Sequence, residues 1–333
     1  MIGELMERPN LDYSHSPPES YRVQIGHSLN KLLFCVAWRP IRFFLDKSVL
    51  KVFRDFIKQG HGGHIRGKVV LNLFDDAGML SIFAANAGAE RILLPPPFFE
   101  SVKALAKCNN CEEKIEVVPS FSTLPVDRID VLFWDWISVF LLDSDQSDIC
   151  SLIQSKVDRV YPRNLCVDIV GVNVKQEVLK CLVPSCSFED LNTAPLAHAA
   201  YKRVYSYDWS SDLVTPVTSM EAVVTVDIQK MASFLFEEKD FLLTFTTAAE
   251  VNGLLMYLRC EIDGSEWSFS TKDSGSYGQS LILLKHPVDG LPDQMIKGSV
   301  SRKIPGTLSV SLQGPDSSRL ISADFHLPPP IIM

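Results

Sequence analysis

Cysteine and histidine supply the first candidates for chemistry. Cys108 and Cys111 stand in C-x-x-C spacing, and four residues separate Cys181 from Cys186. A structural zinc site needs four ligands at compatible spacings, and the second pair is wrongly set for a zinc ribbon. The 8 cysteines are otherwise scattered, which reads as reduced thiols in a cytosolic protein with no metal centre. His61 and His64 lie in GHGGH among three glycines, and a loop is the reading there. Aromatic rings form the other concentration: Tyr201, Tyr205, Tyr207 and Trp209 fall within nine residues. They read either as ordinary core or as anchors for a partner. Their place in a long insertion favours anchors, because such rings dominate binding hot spots.

The elements that would position these residues change character along the chain. The first twenty residues are polar and Pro-containing and read as a loose arm. From Tyr21 to about Gln59, Leu32, Val36, Ile41, Phe44, Val49, Val52, Phe53 and Phe56 recur at helical spacing, interrupted by Pro40. Two or more helices follow from that. KVVLNL, RILL, KIEVVPS and RIDVLFWDW read as short strands. AGMLSIFAANAG between the first two reads as a helix, with Ala77, Leu80, Phe83, Ala84 and Ala87 on one face and Gly88 as its cap. Strands alternating with helices imply a parallel sheet. From Leu165 onward, alternating runs such as EAVVTVDI, GLLMYLRCEI and GTLSVSLQG read as antiparallel strands. Between them lies a long stretch, roughly 182–209, with little strand pattern, which marks a functional or partner-binding insertion.

Composition narrows the classes. The 333 residues allow two domains or one large one with an insertion. The net charge of −8 argues against a broad nucleic-acid footprint. The longest apolar stretch, Val131 to Leu142, is broken by Asp135 and falls short of the roughly 18 residues of a membrane span. MIGELMERPN has two early glutamates and no apolar centre, so no signal peptide is expected.

The order of helical N-terminus, α/β domain and β-rich domain with an inserted arm resembles the protein arginine methyltransferases. KVVLNLFDDAGMLSIFAANAGAERILL resembles the family's first methyltransferase motif, and FWDWISVFLLDS its double-Glu substrate loop. LVTPVTSMEAVVTVDI resembles the return into the β-barrel after the dimerisation arm. SYGQSLILL with VDGLPDQMIKGSV resembles the late Thr-His-Trp loop and the strands after it. Coverage runs from about Tyr21 to the C-terminus. The resemblance implies a Rossmann-like methyltransferase domain followed by a β-barrel with an inserted helical arm. Its expected divisions are a flexible segment 1–20, helices 21–65, the α/β domain 66–164 and the barrel 165–333, with the arm at about 176–211.

Against that pattern the chain departs at three sites. The family's glycine-rich turn needs close backbone approach to S-adenosylmethionine; here its glycine positions hold Phe74, Asp76 and Gly78. Asp75 and Asp76 add carboxylates where the cofactor's own carboxylate would lie. The ribose-gripping acid falls at about Pro96, which offers no acceptor side chain. Phe74 reads as a plug of the vacated pocket in preference to an adenine-stacking group, because buried voids are costly. The two clamp glutamates correspond to Asp135 and Ser144; one is a methylene short and the other neutral. Asp135 reads as a helix cap or solvated acid, with a surviving guanidinium anchor as the other reading. Gly275, Ser276 and Tyr277 replace Thr-His-Trp.

Three eroded sites imply a catalytically inactive homologue, a cytoplasmic prozyme that binds no cofactor or metal. Its expected partner is a catalytic arginine methyltransferase carrying S-adenosylmethionine, in a heterodimer that pairs into a heterotetramer through Tyr201, Tyr205, Tyr207 and Trp209. The alternatives are a divergent arginine methyltransferase with weak activity and a non-catalytic binding module. Cofactor calorimetry separates the first of these, and co-purification the second. No nucleic-acid or membrane partner is expected.

Overall fold

The computed structural model describes residues 46–326, except 61, 75–77, 95–98, 119–123, 135–146, 189–190, 208, 232–234, 265, 274–277, 304–306 and 316–319. Helix α1, Lys47–Asp55, starts at Asp46, whose carboxylate accepts from the Val49 N–H, a side-chain cap for an orphan donor. It buries Val49, Leu50 and Phe53. A π turn, Phe56–Gly60, continues it and buries Phe56 and Ile57. A short helix, α2 (Gly62–Ile65), leads into the first sheet.

Five parallel strands follow: β1 Val69–Leu73, β2 Arg91–Leu94, β3 Ile115–Val117, β4 Ile129–Trp134 and β5 Val157–Tyr161. Their order is β3-β2-β1-β4-β5. Val70, Leu71, Ile92, Leu93, Val131 and Leu132 are fully buried, as expected of a parallel sheet covered on both faces. The crossover helices are α3 Met79–Asn86, α4 Phe99–Cys108 and α5 Ser147–Lys156. Helix α3 buries Leu80, Ser81, Ile82, Ala84 and Ala85, more than the single stripe its sequence suggested. It is enclosed between the sheet and its neighbours, so nearly every side faces protein. Gly88, just past its end, sits at φ +93°, the left-handed cap the sequence predicts.

From residue 164 the chain is antiparallel. β6 (Asn164–Val174) precedes the insertion, which contains α6 (Gln176–Leu182), the hairpin β7 Ser187–Phe188 with β8 Leu191–Asn192, α7 (Ala194–Ala200) and β9 (Val204–Tyr207). The long strands β10 Val214–Asp227, β11 Phe236–Thr244 and β12 Ala249–Glu261 come next, then β13 Ser268–Ser270, β14 Gln279–Gly290, β15 Met295–Arg302, β16 Thr307–Gln313 and β17 Leu320–His326. One sheet runs β10-β6-β12-β14-β9, with β13 on β12, and a second runs β11-β15-β16-β17. The sheets meet at two places. Thr218 bridges Phe245 near the β10–β11 corner, and the His326 N–H donates to the Lys202 carbonyl at 2.8 Å. The result is barrel-like. β9 pairs with β14, so the end of the insertion, which lacks an obvious strand pattern in sequence, belongs to this sheet.

Two antiparallel strands also share a polar pairing. Asp168 on β6 is 3% exposed, and the Arg259 Nε on β12 donates to it at 3.2 Å. Arg259 also donates to Glu261 at 2.9 Å, and Asn164 donates to the other oxygen of Glu261 at 3.2 Å. The neighbouring Asp168 carboxylate holds the Arg259 guanidinium above its ordinary value. The buried Asp168 thus has a charged, hydrogen-bonded partner.

Candidate functional site

Strand order reverses between β1 and β4, and in open α/β sheets ligands bind in the crevice beyond the carboxyl ends of such strands. The local sequence makes the end of β1 apolar and tightly tied. Asn72 is 1% exposed; its Nδ2 donates to Ser81 Oγ at 2.9 Å, and its Oδ1 accepts from the Phe74 N–H at 3.0 Å. One amide therefore ties the turn to α3.

Phe74 is 2% exposed. Its ring meets Phe53 of α1 edge-on at 5.0 Å. Phe53 in turn lies 6.2 Å from Phe133 of β4 and 5.8 Å from Phe269 of β13. Beside them, Phe56 packs edge-on against Tyr161 of β5 at 4.8 Å and against Trp267 at 6.4 Å. These rings join α1, the first sheet and the antiparallel half in one cluster. Such pairs contribute roughly 0.5–1.5 kcal/mol each beyond area burial.

Gly78 has a different reason to be glycine. Its φ is +85°, and a Cβ there would stand 2.2 Å from Val102 Cγ2. The close approach of α4 therefore requires it, whatever a ligand would need. Asp75, Asp76, Pro96, Asp135, Ser144 and the Gly275–Ser276–Tyr277 segment lie outside the described residues.

Of the aromatic group of the insertion, Trp209 is buried and Tyr201 and Tyr205 are half-buried. Trp209 is 8% exposed and packs with Val172, Leu255 and Leu281. Its backbone N–H donates to Gln279 Oε1 at 2.7 Å, and its Nε1 to the Tyr205 carbonyl at 3.3 Å. The Tyr205 hydroxyl donates to the Ala200 carbonyl at 2.9 Å, and burial pushes its pKa up. Tyr207 pairs with Gln279 in the β9–β14 ladder, and Tyr201 packs half-buried against the same cluster. Trp209 is covered by its own chain, whereas Tyr205 is half-buried. Leu196 on α7 is the residue the sequence reading missed: it is 61% exposed, while Ala197 and Ala200 turn inward. The signal was present in APLAHAA, where small residues mark the packed side.

No group of three or more His, Cys, Asp or Glu that could hold a metal occurs among the described residues. Cys108 is exposed, whereas Cys111 is buried and burial pushes its thiol up, away from the thiolate a metal needs. Among the described residues no helix is long and apolar enough to cross a membrane.

No protein-family model matches the chain. It is 24% identical over 186 residues to protein arginine N-methyltransferase 1 of Chlamydomonas reinhardtii, a match covering 50% of each chain. It is 33% identical over 90 residues to protein arginine N-methyltransferase PRMT10 of rice, covering 26% of this chain and 23% of that one. A longer match, 24% over 286 residues, covers 75% of this chain and 74% of the probable protein arginine N-methyltransferase 1.2 of Arabidopsis thaliana. The chain thus spans half the length of the first of these relatives and about a quarter of the second. In fold, the Trypanosoma brucei PRMT1 enzyme–prozyme heterotetrameric complex with AdoHcy is similar, with TM-score 0.75, 17% identity and 86% and 97% of the two chains covered. Arabidopsis thaliana protein arginine methyltransferase 10 follows with TM-score 0.67, 15% identity and 86% and 96% covered. These neighbours have the same Rossmann-like parallel sheet followed by an antiparallel, barrel-like half. In matched sequence and in fold, the chain is similar to protein arginine methyltransferases.

Proposed function

We propose that this chain is a non-catalytic arginine methyltransferase homologue that binds a catalytic paralogue and supports its activity. The observation that carries the reading is Phe74. At the first position of the turn after β1, where a cofactor needs bare backbone, a phenyl ring is buried in an aromatic cluster. The residues there do not fit S-adenosylmethionine, and we assign that cofactor to the partner. The chain has no clamp of paired glutamates, since Asp135 and Ser144 stand at those positions, and one neutral member cannot make the second charge-assisted bond to a guanidinium. The close approach of Val102 gives Gly78 a packing reason that needs no ligand.

The insertion at about 176–211 supplies the proposed contact surface. Trp209 and Tyr205 brace its base from within, and Leu196 on α7 offers exposed apolar surface to the paralogue. A solved relative that is an enzyme–prozyme heterotetramer supports this assembly as the one to test. The experiment is reconstitution with the catalytic paralogue of the same organism, each chain purified separately. The expected result is that methylation by the paralogue rises when this chain is added, and that the two elute together. Full paralogue activity without this chain, and separate elution, overturns the proposal.

A further inference from the structure

A recess of about 300 Å³ opens where α2, the edge strand β5, the start of β6 and the turn after β12 converge. Junctions of this kind are frequent ligand sites. Its floor is rigid. Tyr161 is 2% exposed, with its ring fixed by Phe56 at 4.8 Å and Phe133 at 6.2 Å. Its hydroxyl lies 3.2 Å from His64 Nδ1. Gln229 braces the strand behind it: its Oε1 accepts from the Val160 N–H at 3.0 Å, and its Nε2 donates to the Val157 carbonyl at 3.2 Å.

The charges around this floor divide unevenly. Asp158 is held by Arg128 at 2.6 Å, and Asp227 is shared between Lys230 at 3.4 Å and Arg163 at 3.9 Å. Among the described residues, Arg159 and Asp263 have no ion-pair partner, and they do not pair with each other, although both line the recess. Both act on the Tyr161 hydroxyl: burial pushes its pKa up, Asp263 pushes it further, and Arg159 and Arg163 oppose. A simple anion on Arg159 meets the Asp263 carboxylate; a simple cation on Asp263 meets Arg159 and Arg163. A small molecule carrying both charges satisfies both sides, and like-charge juxtaposition selects against the others.

We propose that this recess binds a free α-amino acid, its carboxylate on Arg159 and the Tyr161 hydroxyl and its ammonium on Asp263. The test is calorimetric titration of the full chain with leucine, glutamate and arginine separately. Leucinamide, which lacks the carboxylate, and N-acetyl-leucine, which lacks the ammonium, are the controls. At least one amino acid binds saturably. If that one is leucine, the two controls bind about tenfold or more weakly, one charge-assisted hydrogen bond each; for glutamate or arginine the matching amide and N-acetyl forms serve. Arg159→Gln and Asp263→Asn each weaken the same amino acid by a similar factor. Both side chains reach the surface, so both variants keep the wild-type Tm, and the controls on the unaltered chain test the idea without any substitution. Absence of saturable binding by all three amino acids overturns the proposal, as does equal binding of a one-charge control. Tighter inorganic phosphate binding by Asp263→Asn, with no amino acid bound, makes the recess a plain anion site and overturns it too.

Discussion

Two ends of the same parallel sheet have gone different ways. At the end of β1, the turn points its first side chain inward, and Phe74, Phe53, Phe133 and Phe269 close over it. At the outer edge, β5 presents Arg159 and the Tyr161 hydroxyl to a recess beside Asp263. One region is packed with aromatic rings; the other carries charged side chains at the surface. A binding site needs backbone or polar groups left over after folding, and among the described residues the second region presents such groups. The first now ties α1 and the antiparallel half to the sheet.

Removing a ring from the first region has the largest expected effect. Phe53→Ala leaves Phe74, Phe133 and Phe269 around a void, a loss of about 3–5 kcal/mol, read as a drop in urea midpoint with little change in slope. Gly78→Ala comes next, at about 2–4 kcal/mol, because an L side chain at φ +85° is strained and its Cβ drives into Val102. Valine at position 102 reduced to alanine alongside it should recover part of that loss, which a thermal melt of the double variant measures.

Smaller effects belong to the polar regions. Arg259→Met strips the partner from Asp168, which is 3% exposed; the arginine itself is partly solvated, so about 1–3 kcal/mol is expected. Asp168→Asn in the same background should restore part of it, and a double-mutant cycle checks the coupling. Asp130 gives the pH dependence. Burial pushes its carboxyl up, but the Val69 N–H and Lys68 outweigh that and hold it below the ordinary range. Its folded value lies below the unfolded one, so its stabilisation is complete above about pH 4 and is lost as pH falls through the folded value. The pair is half-solvated, so the loss is on the order of 0.2–1 kcal/mol. Urea midpoints on either side of that window check it, and Asp130→Asn should flatten the slope. Leu196→Asp should leave folding unchanged and weaken only the assembly with the paralogue, measured by co-elution.

The fold was legible where periodicity carries it. KVVLNL, RILL and RIDVLFW are short apolar runs, and within them lie buried parallel strands. Gly88 announced its own positive φ. The aromatic residues of the insertion were legible as a concentration but not as a destination. Whether Trp209 faces outward or inward depends on Gln279, seventy residues later, which accepts its backbone N–H. The same holds for Arg259 with Asp168, and for Arg159 with Asp263: these neighbours arise from register and turns between strands distant in sequence. At the crevice, Phe74 was legible as an aromatic where glycine is expected. That it joins Phe53, Phe133 and Phe269 required knowing where α1 and β13 pack.

Calorimetry of S-adenosylmethionine against the isolated full chain, free of any paralogue, tests most directly whether the crevice is closed to cofactor. No saturable heat is expected. One-to-one binding in the micromolar range, with Phe74 in place, would contradict that closure.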